Sequence, residues 1–329
     1  MQHTDIPLER ILLASSAQPP AAAIMTPALE YSLRHNRSDQ VSWLLTQTQE
    51  IDSQSGVVWH AVFKRDFPLL KALIERGANP HLAYDSLWEY NLLESAAYAD
   101  LSMVEYLFGL GLTFRPTLIM NVAAINPDPR IANFFWQRGA ALDTPACPLC
   151  LAVRFDRRET FYFLLAKGAD IQALVETENT SIKGLSALQI ASLYARYELA
   201  EALLAHGAKF PGNLIYAMAN NPAALKQRKR PANPAVDPDW QAALHNYAQL
   251  IALFMRQGMD INGKVYGETS LIAALKQKQL DFVRLLLKAG ANPNLADAFG
   301  HTPLEIAKQQ GLNLREFDSL FCPTKEACP

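Results

Sequence analysis

Little in this sequence is in excess, and what it lacks narrows its function. Neither sign of charge dominates: 30 Lys and Arg stand against 32 Asp and Glu, a formal net charge of −2 over 329 residues. That balance argues against a general nucleic-acid binder, whose affinity comes from neutralising many phosphates, and no specific nucleic acid is expected as a partner. No apolar run approaches the ~18 residues of a membrane-spanning helix, so no membrane is expected either. Four cysteines are too few for a disulfide scaffold in so long a chain. From Met1 to Ala23 acidic and basic residues, Asp5, Glu9 and Arg10, precede a short apolar patch, Ile11–Ala14, before Pro and Ala take over. A secretory signal has a different order, and a cytoplasmic location is expected.

Catalytic patterns are missing as well. There is no G-x-S-x-G elbow, no Walker loop and no dinucleotide fingerprint. The histidines, from His3 to His301, fall into no H-E-x-x-H or H-x-x-E-H spacing. One pattern invites chemistry, Cys147-Pro148-Leu149-Cys150, whose spacing suits zinc ligation or a redox couple. No second pair and no His cluster completes four zinc ligands, and Cys322 and Cys328 lie far along the chain. The sequence is therefore read as a non-enzyme with no catalytic residue, no metal and no cofactor. A zinc- or redox-dependent enzyme built on Cys147 and Cys150 is the alternative from another class.

What the chain does contain is repetition. Hydrophobic residues make up 50% of it, ample for a buried core, and at this length two domains or a repeat array are expected. A small tag recurs after apolar segments: Gly77-Ala78-Asn79, Gly139-Ala140-Ala141, Gly168-Ala169-Asp170, Gly207-Ala208-Lys209 and Gly290-Ala291-Asn292, with weaker copies at Gly111 and Gly258. Leu pairs precede several of them, as at Leu164-Leu165, Leu203-Leu204 and Leu285-Leu286. Gly suits a helix end, where the chain commonly turns left-handed. At a constant distance upstream lies a second signal: Thr269–Ala274 before Gly290, Ser186–Ala191 before Gly207, Leu118–Ala123 before Gly139 and Gly56–Ala61 before Gly77. Thr302-Pro303-Leu304-Glu305-Ile306-Ala307 opens a last unit without a tag.

These residues resemble the ankyrin repeat, with its T-P-L-H-x-A opening, two helices and a turn. The resemblance implies an all-α solenoid of stacked helix–turn–helix units with short β-hairpin fingers. Alanines of the first helix let neighbours stack, and the Leu pair of the second fills the interior. About nine units are expected, opening near Pro27, Gly56, Asn91, Leu118, Cys147, Ser186, Gly212, Thr269 and Thr302. In this register Cys147 and Cys150 replace the opening Thr and the His, as small buried apolar residues. Thr48 replaces the glycine of the first unit, the divergence expected of a terminal cap. The organisation expected is an N-terminal extension (1–25), repeats one to seven (26–219, ending inside the seventh), an insertion (220–246), the remaining repeats (247–320) and a tail (321–329).

The period breaks twice. The step from Cys147 to Ser186 exceeds the ~33 residues of the repeat, and the polar run Glu176–Lys183 is read as a lengthened finger. The step from Gly212 to Thr269 exceeds it further. Pro222, Pro231, Pro234 and Pro238 forbid a continuous helix there, and helical pattern resumes from Trp240. The basic run Lys226–Arg230 reads as a solvated loop or as a nuclear-localisation or anion-binding signal.

The resemblance also implies a concave surface made by fingers and the exposed ends of first helices. It selects Arg34, Phe63, Lys64, Tyr98, Arg154, Phe155, Tyr194 and Lys276, with Trp88 and Tyr90 as a finger contact. Aromatics and arginines dominate interface energy once a partner covers them. The expected function is thus a non-catalytic module that binds a specific protein through its concave face. Two versions stand beside it, a bacterial immunity or inhibitor protein that neutralises a toxin and a translocated effector or scaffold.

Overall fold

The computed structural model describes residues 22–82, 90–178, 180–226, 231 and 236–312. Two compact units divide the chain, residues 1–144 and residues 145–329. Among the described residues of the first, eight helices form four hairpins: α1 (Ala22–Arg34) with α2 (Ser38–Gln47), α3 (Val57–Phe63) with α4 (Phe67–Glu75), α5 (Leu92–Ala96) with α6 (Leu101–Gly109), and α7 (Ile119–Ile125) with α8 (Pro129–Trp136). The first helices of successive hairpins pack on one another, α1 on α3, α3 on α5 and α5 on α7. Trp59 on α3 and Phe135 on α8 are fully buried.

The second unit repeats the scheme with α9 (Pro148–Arg154) and α10 (Arg158–Ala166), then α11 (Ala187–Leu193) and α12 (Tyr197–Ala205). Next come α13 (Leu214–Asn220), the one-turn α14 (Ala223–Lys226) and the long α15 (Pro238–Arg256). Helices α16 (Ser270–Lys276) and α17 (Leu280–Lys288) follow, then α18 (Pro303–Gln309). The first helices stack in the order α9, α11, α13, α16, α18, and α15 lies between α12 and α17. The chain is all-α in character and built from stacked helical hairpins.

The recurring tag has a specific backbone role. Each tag glycine adopts positive φ, from 87° to 96° at Gly77, Gly139, Gly168, Gly207 and Gly290. The following Ala N–H then bonds back five residues, as in Ala169 to Leu164 O at 3.1 Å and Ala208 to Leu203 O at 2.9 Å. This closes the helix with carbonyls satisfied. The first unit ends differently. Thr48 is extended, with φ −90°, and its hydroxyl donates to Leu44 O at 2.7 Å. Its first helix also starts at Ala22, ahead of the expected opening at Pro27, which lies inside α1.

Starts are capped by side chains. Asn91–Glu94, Ser186–Gln189 and Thr302–Glu305 are reciprocal capping boxes, which satisfy two exposed N–H groups each. The alanines behave as the repeat requires: Ala61, Ala96, Ala123, Ala152, Ala191 and Ala274 are all sealed. Of the Leu pairs, Leu164, Leu203 and Leu286 are fully buried while Leu165, Leu204 and Leu285 are half-exposed.

Fingers are less strand-like than expected. Among the described residues one two-stranded ladder exists, β1 (Lys264–Val265) with β2 (Glu268–Thr269), plus a single bridge, Leu174 to Ser186. Side-chain amides take over part of the joining. Gln172 donates to Gly207 O and accepts from Lys209 N, and Asn262 accepts from Asn292 N at 2.7 Å. Cys147 and Cys150, expected as separate apolar residues, are joined in a disulfide.

Candidate partner-binding surface

In the first unit, Phe63 closes α3 and Lys64 caps it, a position set by the left-handed Arg65 that ends the helix. The Phe63 ring is 44% exposed, held 5.9 Å from the buried Trp59 ring. Lys64 is exposed beside it. Arg34 ends α1 and pairs with Glu30 at 2.6 Å. Tyr90 and Tyr98 meet edge to face with ring centres 6.0 Å apart. Burial first, then the Tyr90 hydroxyl beside it, pushes the Tyr98 phenol well above its ordinary pKa. Tyr98 is thus half-buried support for Tyr90. Trp88 lies outside the described residues.

In the second unit Phe155 caps α9 as Phe63 closes α3, 40% exposed. Arg154 lays its guanidinium 5.5 Å from the centre of that ring, a cation–π contact that presents both groups together. Lys276, at the end of α16, is engaged by Glu268 and by Asp297 at 3.8 Å.

Tyr194 departs from the expected display. It is 6% exposed, because the inserted elements close over the end of its helix. The Tyr247 hydroxyl of α15 donates to Leu193 O, and the Asn246 amide donates to Ala195 O at 3.0 Å. What remains open there is a cleft of about 480 Å³ lined by Ala195, Arg196, Ala224, Asp239 and Asn246 as well as Tyr194. Arg196 on its wall pairs with Asp156 at 3.1 Å, and Asp156 also pairs with Arg158.

Two prominent aromatics escaped the sequence reading. Tyr266, at the tip of the β1–β2 finger, is 90% exposed, and Phe299, in the next finger, is 82% exposed. The two fingers touch, with Ala298 N–H donating to Gly267 O at 2.8 Å. A signal was present: Tyr266-Gly267 and Phe299-Gly300 each stand three residues before an opening Thr. Among the described residues no three His, Cys, Asp or Glu side chains gather to hold a metal ion, and no helix is long and apolar enough to cross a membrane.

A family model described as ankyrin repeats (3 copies) matches residues 213–297 and 240–317, where the hairpins α13 to α18 carry the same tags and caps. The chain is an ankyrin-repeat protein. It is similar to YahD of Escherichia coli (strain K12), named as an ankyrin repeat protein, with 26% identity over 179 residues, 46% of this chain and 89% of YahD. It is also similar to the mitochondrial disaggregase of Homo sapiens, 36% identical over 77 residues. That match spans 23% of this ankyrin-repeat chain and 11% of the disaggregase. Ankyrin repeats generally mediate protein–protein interaction and are generally non-enzymatic.

Proposed function

We propose that this ankyrin-repeat protein is a non-catalytic module that holds one specific protein partner through the displayed ends of its first helices. The observation that carries this reading is the pair Phe63 and Phe155. They stand one position apart in the register of the repeat, each at the end of its first helix; both stand open to solvent, and each has a cation next to it in the chain, Lys64 or Arg154. An aromatic with a neighbouring cation is what anchors an interface once water is excluded. Arg34, Tyr90, Tyr98 and Lys276 belong to the same proposed surface. Tyr194 acts in this reading as packing beneath the surface. Blocking a partner, as an inhibitor or immunity protein does, and recruiting one, as a scaffold or effector does, both use such a surface.

The test is capture from native lysate by the wild type and by Phe63→Ala/Phe155→Ala, read by quantitative mass spectrometry. A partner held by the wild type and reduced at least about tenfold with a folded double variant is expected. Equal capture by both proteins rejects this surface. An activity assay on the captured partner, with and without this protein, then separates inhibitor from scaffold.

A further inference from the structure

The motif Cys147-Pro148-Leu149-Cys150 plays no part in the partner-binding reading, and its surroundings give it a role of its own. Cys147 is the N-cap of α9 in left-handed conformation, φ 53°. Its Sγ accepts from the Cys150 N–H at 3.2 Å. Both side chains are sealed from solvent. The two sulfurs face one acceptor on the following finger, the Ala173 carbonyl, at 3.9 Å from Cys147 Sγ and 3.7 Å from Cys150 Sγ. That carbonyl begins the lengthened finger. Just after it Leu174 bridges Ser186, Val175 N–H donates to Leu185 O at 3.1 Å, Gly184 N–H to Val175 O at 2.7 Å and Glu176 N–H to Pro145 O at 2.7 Å.

A disulfide sulfur carries no proton, so in the joined state neither contact to Ala173 O is a hydrogen bond. Two thiols at the same positions each carry an S–H donor within sulfur hydrogen-bonding reach of that oxygen. We propose that Cys147 and Cys150 form a reversible two-electron oxidation site, and that its state sets how firmly the finger 174–186 is tied to the start of α9. The reaction is thiol–disulfide exchange. A thiolate of a dithiol reductant attacks one sulfur, the Cys147–Cys150 bond breaks and a mixed disulfide forms. The reductant's second thiol then displaces that sulfur and leaves as a cyclic disulfide. Two electrons and two protons end on the Cys147 and Cys150 sulfurs as S–H groups, and the reverse sequence restores the bond. Because the pair is buried, exchange proceeds through local opening of the finger.

The test uses the full chain carrying Cys322→Ser/Cys328→Ser, so that one pair remains. The protein is equilibrated, and separately refolded, in reduced or in oxidised dithiothreitol. Intact mass with alkylation reads the bond, and amide hydrogen exchange reads the finger. Expected is a reversible difference of two hydrogens mapped to the 147–150 peptide. Exchange at Val175, Glu176 and Gly184 should be about threefold or more slower in the reduced form, the size of a modest hydrogen bond. A Cys147→Ser/Cys150→Ser variant keeps hydroxyl donors in both conditions and should match the reduced form in each. The proposal is overturned if the folded protein keeps two alkylatable thiols in the oxidant after either route. It is overturned equally if the bond closes while finger exchange stays the same.

Discussion

Arg115 grips Glu94 from the following repeat. Its backbone N–H and Nε both donate to Oε1 at 2.9 Å, and Nη2 reaches Oε2. Glu94 is wholly buried and also accepts from Asn91 N–H at 3.0 Å, so one carboxylate both caps α5 and binds the next unit to it. The carboxylate is thus fully coordinated without water, which is the condition under which a buried charge is tolerated.

Removing that carboxylate should therefore be costly. Glu94→Ala strands the Asn91 and Arg115 N–H groups and the guanidinium, and a loss of about 3 kcal/mol is expected. Arg115 is half-exposed, so Arg115→Ala should cost less. Urea unfolding of both variants checks the order, and equal losses would contradict it.

The exposed and buried aromatics should separate cleanly. Tyr194→Ala opens a cavity beneath α15 and should cost about 3 kcal/mol. Phe155→Ala removes a partly exposed ring and should stay within about 1 kcal/mol. Thermal unfolding of the two variants measures the contrast.

His60 sets a pH dependence. Burial, opposed in part by Glu30, holds its imidazole below the ordinary 6.5. The unfolded chain therefore binds the proton more readily than the folded one once pH falls below about 6.5. Its stability contribution is present in full above that pH and is lost as pH drops toward the folded-state value. The wild type should lose more urea resistance between about pH 7 and pH 5.5 than His60→Gln. Parallel curves would remove His60 as the cause.

The turn between the helices of a repeat offers a gain. Lys278 is exposed and adopts φ 54°, which costs an L-residue roughly 1–2 kcal/mol. Lys278→Gly should raise stability by about 0.5 kcal/mol after the greater unfolded-chain entropy of glycine is counted. A drop in the urea midpoint would show that the lysine side chain contributes more than its backbone strain.

Neighbouring finger tips respond differently to a methyl group. Gly267 and Gly300 both have positive φ, 82° and 87°, but only at Gly267 would a Cβ meet a neighbour, Ala298 Cβ at 2.6 Å. Gly300→Ala should cost about 1 kcal/mol and Gly267→Ala clearly more, since Ala298 sits on the adjacent finger. Comparing the two by thermal unfolding isolates the finger-to-finger contact.

Much of this fold was legible because its punctuation is chemical. A glycine that must turn left-handed, an alanine that must bond back and a Thr or Asn that must cap leave marks in the sequence. The left-handed turn after several first helices leaves none. Arg65, Asp156, Ala195 and Lys278 share one backbone conformation and no side-chain chemistry, so only the recurrence of the back-bond, as in Arg196 N–H to Ala191 O at 2.8 Å, reveals them. Exposure was legible where it follows from position within one repeat, as at Phe63 and Phe155. It was not legible at Tyr194, whose burial depends on a segment inserted dozens of residues later. Nor was it legible at Tyr266 and Phe299, which mark finger tips and not helix ends.

The insertion between α13 and α15 interrupts a repeat at its middle, leaving the joints between repeats intact. Helix α13 rests on α11 and α16, while α15 rests on α12 and α17. Each half of that repeat therefore finds its stacking partners on both sides of the interruption. If the chain were severed there, each fragment would still need the other to complete its layer, so a cut in the insertion would leave neither side with a finished end.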